Sequence, residues 1–171
     1  MFIRVLQEED AAVYQELRLM GLRLNPEAFG SDYDREAGFS PDTVKERLRP
    51  LDNQRATVGA FGADGRLWGI AAAIRMGNLK ESHKADICRV FVHPEARGEG
   101  MARQLIAELI RLAQGWPGVE QLRLMVNASN APARRLYQSL GFRVYGTERE
   151  SLKWNGVYYD EDLMTLRLNK E

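Results

Sequence analysis

The chain has 171 residues, 44% of them hydrophobic and 28% charged, values that suit one globular domain with a sizeable core. Lys plus Arg and Asp plus Glu both number 24, which argues against a nucleic-acid partner held by bulk charge. One cysteine and two histidines leave neither a disulfide framework nor a Cys/His metal cluster, no run is apolar enough to span a membrane, and the opening Met1-Phe2-Ile3-Arg4-Val5 is too brief for an export signal. The composition predicts a cytoplasmic protein with no bound metal, no nucleic-acid partner and no membrane partner.

Phe2 to Leu6 alternates apolar and polar residues, which predicts a first strand. From Glu9 to Leu24, Val13, Leu17, Met20 and Leu24 recur at helical spacing, and Asn25-Pro26 ends that helix. Glu27 to Gly38 is ambiguous. Ser40 and Pro41 read as N-cap and first residue of a helix that stops at Pro50. Ala56 to Ala63 and Leu67 to Arg75 are strands around the hairpin signal Asp64-Gly65. Met76 to Lys84 is a polar loop, and Ala85 to Val92 is a strand ended by Pro94. Its residues Cys88, Val90 and Val92 alternate onto one face, where Cys88 reads as core.

After that strand comes Arg97-Gly98-Glu99-Gly100-Met101-Ala102, then a helix with Met101, Leu105, Leu109, Leu112 and Trp116 on one face, broken at Gly115 to Gly118. The first N–H groups of a helix lack intrahelical partners, and the helix dipole adds partial positive charge there. Glycines let a ligand approach, so this turn is an anion site suited to phosphate. A dinucleotide fold wants a third glycine where the chain has Arg103, and a nucleotide P-loop needs a Gly-Lys-Ser/Thr that is absent. Gln121 to Val126 is a strand, Ser129 or Asn130 caps a helix over Ala131 to Leu140, and Gly141 ends it. Phe142 to Leu152 and Val157 to Leu168 are strands joined at Asn155-Gly156. The order β-α-α-β-β-β-α-β-α-β-β predicts an α+β domain.

Two blocks together resemble the GCN5-related N-acetyltransferase (GNAT) superfamily. The family motif is Arg or Gln, two residues, Gly, one residue, Gly or Ala, and Arg97, Gly100 and Ala102 fill it. The second block runs from Val126 through Asn130 and Leu136-Tyr137 to Gly141-Phe142. The resemblance is specific over Asp86 to Phe142 and loosest over residues 1–55. It implies a central mixed, largely antiparallel sheet flanked by helices and splayed between the fourth and fifth strands, in a single acetyltransferase domain over residues 1–171. It also implies acetyl-CoA as co-substrate.

Acetyl transfer to an amine needs the amine neutral, a donor for the thioester oxygen as it gains charge, and a proton for the departing sulfur. The resemblance implies that Val90, Phe91 and Val92 present backbone groups to the pantetheine arm and thioester. It implies that Gly98, Glu99, Gly100, Met101, Ala102 and Arg103 wrap the pyrophosphate with their amides, with positive charge from Arg97 and Arg103. Asn130 is expected to hydrogen-bond the coenzyme and Tyr137 to act as general acid. The resemblance implies Asp86 as the base, since some members carry a carboxylate on this strand; the glutamate that other members place on the strand before Asn130 is Met125 here. Residues 25–40, loop 76–84 and hairpin 152–160 are expected to line the acceptor side. Tyr33, Glu36 and Tyr158 are its candidate substrate contacts, with Asp34, Trp154 and Asp160 nearby in sequence, a set that suits a cationic amine. The expected function is transfer of an acetyl group to a primary amine of a small molecule or peptide in a ternary complex. A non-catalytic acyl-CoA sensor is the alternative, and a homodimer is compatible with the family.

Overall fold

The structure is a computed structural model that describes residues 1–169; the domain expected over residues 1–171 extends past these by Lys170 and Glu171, which lie outside the described residues. Its strands are β1 (Phe2–Val5), β2 (Arg55–Phe61), β3 (Leu67–Arg75), β4 (Lys84–Val92), β5 (Gln121–Asn127), β6 (Arg143–Trp154) and β7 (Val157–Arg167). The α-helices are α1 (Ala11–Leu24), α2 (Tyr33–Ala37), α3 (Pro41–Leu48), α4 (Met101–Gln114) and α5 (Ala131–Ser139). The strands form one seven-stranded sheet in the order β1-β2-β3-β4-β5-β7-β6. All neighbours are antiparallel except β4 and β5, which gives the mixed, largely antiparallel sheet that the sequence predicts.

Local chemistry accounts for most boundaries. Ser40 Oγ accepts from the Thr43 N–H at 3.1 Å and Pro41 opens α3. Asn130 is the cap of α5, its Oδ1 accepting from the Ala133 N–H at 3.2 Å. Asn155 and Gly156 both have positive φ (47° and 78°), the conformation that a two-residue hairpin between twisted strands requires. The ambiguous stretch before α3 contains α2, capped by the Asp32 carboxylate accepting from the Arg35 N–H at 2.9 Å.

The sheet separates two cores. On one face α4 buries Met101, Leu105, Ile106, Leu109 and Ala113 against β2, β3, β4 and β5. On the other, α1 and α3 cover Phe61, Leu67, Ile70 and Phe91. The inward face of α1 differs from the predicted one. Val13 and Leu24 are exposed, and the buried positions are Ala11, Tyr14, Leu17, Arg18, Gly21 and Leu22. The helix is turned so that its smallest residue meets β4: a Cβ on Gly21 would lie 2.9 Å from the Phe91 ring. That rotation carries a charged residue, Arg18, inside.

Strands β4 and β5 pair only at Lys84–Gln121, Ala85–Leu122 and Asp86–Arg123. Each then continues with its outer neighbour, β4 with β3 as far as Val92 and β5 with β7 as far as Asn127. The sheet is therefore splayed between its fourth and fifth strands.

Candidate active site

At the open end of the splay stands the N-terminus of α4. Gly98 (φ 84°) and Gly100 (φ 77°) both need the left-handed conformation, and a Cβ on either would meet nothing within 4 Å. The turn from Arg97 to Gly100 is exposed. The first backbone bond of α4 runs from the Gln104 N–H to the Gly100 oxygen at 3.1 Å, so the amides of Met101, Ala102 and Arg103 precede the hydrogen-bonded ladder. The Met101 side chain is core, 4% exposed, and only its amide belongs to the turn. Together these amides form an open cradle for an anion.

The wall of the splay is β4, and it bulges. Phe91 stands opposite Ile70 and Cys88 opposite Ala72, so Arg89 and Val90 share one opposing position; Arg89 has φ 56°. The extra residue reverses the alternation. Ile87 and Val92 lie in the α4 core, joined by the partly buried Val90, while Phe91 lies in the α1 core. Cys88, expected on one face with Val90 and Val92, is therefore on the opposite one, and burial pushes its thiol above the ordinary range. Arg97 is tied into the fold: Nε donates to the Val92 oxygen at 3.0 Å, Nη2 donates to Asn25 Oδ1 at 3.1 Å, and the guanidinium covers the Phe91 ring. It holds the turn against β4 and the end of α1.

Across the splay, α5 brings up Asn130 and Tyr137. The Asn130 oxygen is used by the helix cap, which leaves its amide nitrogen directed elsewhere. Tyr137 is 7% exposed and packs edge-on against Phe142 at 5.9 Å. Burial pushes its phenol up to about 12, so it keeps its proton at neutral pH. The exposed Arg103 donates from Nη1 to Ser139 Oγ at 2.6 Å, which links α4 to α5 beside the turn.

The expected base and acceptor contacts each have a partner within the chain. Asp86 sits at the vertex of the splay, where its two oxygens accept from Arg123 Nε (2.8 Å) and Nη2 (3.2 Å). It fastens β4 to β5, with its side chain 38% exposed. Glu36 is 1% exposed, and its carboxylate accepts from Arg18 Nε, Arg18 Nη2 and Arg47 Nη1 at 3.0, 2.9 and 2.7 Å. Burial opposes its ionisation, but those guanidiniums prevail and hold the carboxyl down at about 2. The Tyr33 ring is covered on one face by Arg23 at 4.2 Å, and the exposed Tyr158 ring by Lys153 at 5.0 Å. All three predicted contacts for a cation are thus engaged by cations of the chain itself.

Two further polar residues stand where β5 ends, beyond its pairing with β4. Asn127, 7% exposed, pairs with Glu161 across β5 and β7, so the two side chains share a face. The Asn127 amide points to the Glu27 oxygen at 3.5 Å, toward the segment between α1 and α2. Glu161, 8% exposed, accepts from Ser151 Oγ at 2.5 Å and has no cationic partner among the described residues. Asn127 stands inside the block from Val126 to Phe142, which is read for Asn130 and Tyr137, and Glu161 stands within the last predicted strand. Nothing in the residue type marks Arg89 as a bulge, and Arg18 is marked only as a charge among apolar helix positions.

Residues 23–142 match the sequence model of the acetyltransferase (GNAT) family. The chain is 33% identical over 81 residues to the L-amino acid N-acetyltransferase AaaT of Escherichia coli, an alignment covering 47% of this chain and about half, 49%, of that relative. Its fold is shared with an acetyltransferase of the GNAT family from Streptococcus pneumoniae, at a TM-score of 0.87, 23% identity, and coverage of 97% of this chain and 98% of that one. It is shared also with yncA of Salmonella typhimurium, a putative acetyltransferase solved with acetyl-CoA, at a TM-score of 0.81, 23% identity, and coverage of 100% and 95%.

Proposed function

The chain belongs to the acetyltransferase (GNAT) family, and from that premise we propose that it moves an acetyl group from acetyl-CoA to a primary amine of a small molecule or peptide, both substrates being bound together. The observation that carries this reading is the splay: β4 and β5 part after Asp86–Arg123, β4 bulges at Arg89, and the open cradle of Gly98 and Gly100 stands at its mouth. The relative's name, which specifies L-amino acids, and the acetyl-CoA in the Salmonella structure support the two halves of the reading. A single thiol, Cys88, fits a reducing compartment, the cytoplasm.

Acetyl-CoA supplies an acyl group already activated as a thioester. The cradle amides of Gly98 to Arg103 hold its pyrophosphate, with Arg103 adding charge, and the backbone of Val90, Phe91 and Val92 runs along its arm as an added strand would. Asn130 offers its side-chain nitrogen to the coenzyme. Tyr137, protonated and half-walled by Phe142, delivers a proton to the departing sulfur. Glu161, a buried carboxylate without a cation, is the group this reading gives to the acceptor's ammonium and its proton.

The test is release of free thiol from acetyl-CoA over a panel of amines, with acetylated product identified by mass. Thiol that appears only when an amine is present is the expected result. Acetyl-CoA binding with no thiol release from any amine supports the sensor reading and rejects the transferase.

A further inference from the structure

Buried polar atoms without a partner are concentrated in one part of this molecule. Among the described residues, the side-chain oxygens Tyr14 Oη, Gln15 Oε1 and Ser31 Oγ and the nitrogen Arg18 Nη1 are shut from solvent and make no hydrogen bond. Arg134 Nε, which shares that geometry, is satisfied as an ion pair 2.7 Å from Asp162. The other four atoms belong to α1 and to the segment that leads into α2. Folded proteins rarely leave buried polar groups unpaired, and a charged donor is the costliest to leave so.

Arg18 is the informative member. Its side chain is 4% exposed. Nε and Nη2 fork onto Glu36, and Arg47 supplies a further donor to the same carboxylate. Two guanidiniums thus face one carboxylate, and the cluster carries positive charge in excess. Phe29 covers the flat face of Arg18 at 4.8 Å, so a partner for the buried Nη1 has to approach along its edge. Ser31 Oγ helps hold the neighbouring Glu36 carboxylate ionised without a well-directed bond, and its hydroxyl can turn to a second acceptor.

The position of this donor matters. Gly21 is seated on the Phe91 ring, and Arg18 lies one turn earlier on the same face of α1. That places it over β4 at Cys88, whose thiol lies within the field of both Arg18 and Arg47. Cys88 immediately precedes the Arg89 bulge, within the stretch of β4 that has parted from β5, and the transferase reading runs the coenzyme arm along the next residues, Val90 to Val92.

We propose that the acceptor is an amine that also carries a carboxylate, a free amino acid in its simplest form, and that Arg18 Nη1 with Ser31 Oγ receives that carboxylate. The inference rests on the acetyl-transfer reading and assigns its substrate class. An amine without a carboxylate leaves a buried guanidinium nitrogen unpaired, and a site built around a hydrogen-bonding group rejects an analogue that lacks the group.

The test compares N-acetyl derivatives of the standard L-amino acids with the matching N-acetyl carboxamides, by calorimetry on the full chain in the presence of coenzyme A. At least one acid is expected to bind about tenfold or more tightly than its amide. Ser31→Ala is expected to narrow that preference. Arg18→Lys, which keeps a charge for Glu36 and removes the free nitrogen, is expected to abolish it. Equal binding of acids and amides, absence of binding by every acid, or a preference that survives Arg18→Lys in a folded variant overturns the proposal. If Arg18→Lys does not fold, the wild-type preference and its response to Ser31→Ala decide the matter. Failure of the underlying reading shows separately, as absence of thiol release with every amine, because the binding preference is read without turnover.

Discussion

Tyr137 illustrates how one environment sets a proton inventory. Its ring is core and its phenol is held near 12 by burial alone, so the group is a donor across the whole working range. Tyr137→Phe keeps the contact with Phe142 and removes the proton. Turnover should fall about 100-fold, the lower end for loss of a general acid or base, while coenzyme affinity stays unchanged. Unchanged turnover with a good acceptor rejects the assignment. Glu36 is the opposite case, a carboxyl held at about 2 against an ordinary value of 4.5. A lowered carboxyl stabilises the fold above its unfolded value, and that stability is lost as pH falls through the folded value. Unfolding free energy should therefore decline between pH 4.5 and pH 2, by up to about 1.4 kcal/mol for each pH unit from this group. Glu36→Gln should flatten that limb and cost about 3–5 kcal/mol at neutral pH, since it leaves Arg18 and Arg47 buried without a counter-charge. An acid limb identical in both proteins assigns the pH dependence elsewhere.

At the scale of elements, the turn before α4 couples a backbone conformation to a binding surface. An L-residue at the φ of Gly100 is strained by about 1–2 kcal/mol, and its side chain points into the open cradle. An anion at a helix N-terminus gains up to about 2 kcal/mol, so Gly100→Trp should weaken coenzyme binding about 30-fold or more, read by calorimetry. Near-native affinity in that variant places the pyrophosphate elsewhere. This turn was legible in the sequence because its signal is local: two glycines at fixed offsets from a helical pattern. The caps Ser40 and Asn130 and the Asn155-Gly156 hairpin were legible for the same reason. The inward face of α1 was not, since its rotation answers to Phe91, a residue distant in the chain. The Arg18–Glu36 pair spans 18 positions and forms only when α2 folds against α1. The Arg89 bulge left no trace, because arginine has no preference for positive φ. Each miss rests on contacts between residues distant in the chain, which a local pattern does not record.

Across the whole molecule, the splay is an unfinished element of the sheet. Beyond Asp86 and Arg123, the edges of β4 and β5 that face each other have no strand partner among the described residues, although both strands continue. Backbone groups at such an edge are a template for an added extended chain. Within the sheet, the three paired positions and the Asp86–Arg123 ion pair join the two halves, and the α4 core and the Arg103–Ser139 bond join them outside it. A ligand that lies between the strands should therefore stabilise the fold as a brace and not merely by occupancy. At a hundredfold excess over Kd, linkage alone gives about 2.7 kcal/mol, which for a chain of this size raises Tm by about 5–10 °C. The brace adds a spatial signature that linkage does not: amides of β4 from Ile87 to Val92 and of β5 toward Asn127 should slow in hydrogen exchange together, with those of Gly98 to Arg103. Acetyl-CoA and the pyrophosphate fragment of the coenzyme distinguish the cases, because the fragment fills the cradle without reaching the strands. Protection of the turn alone by both ligands shows that the strands are not bridged; protection of β4 and β5 by acetyl-CoA only is the result that the splayed geometry requires.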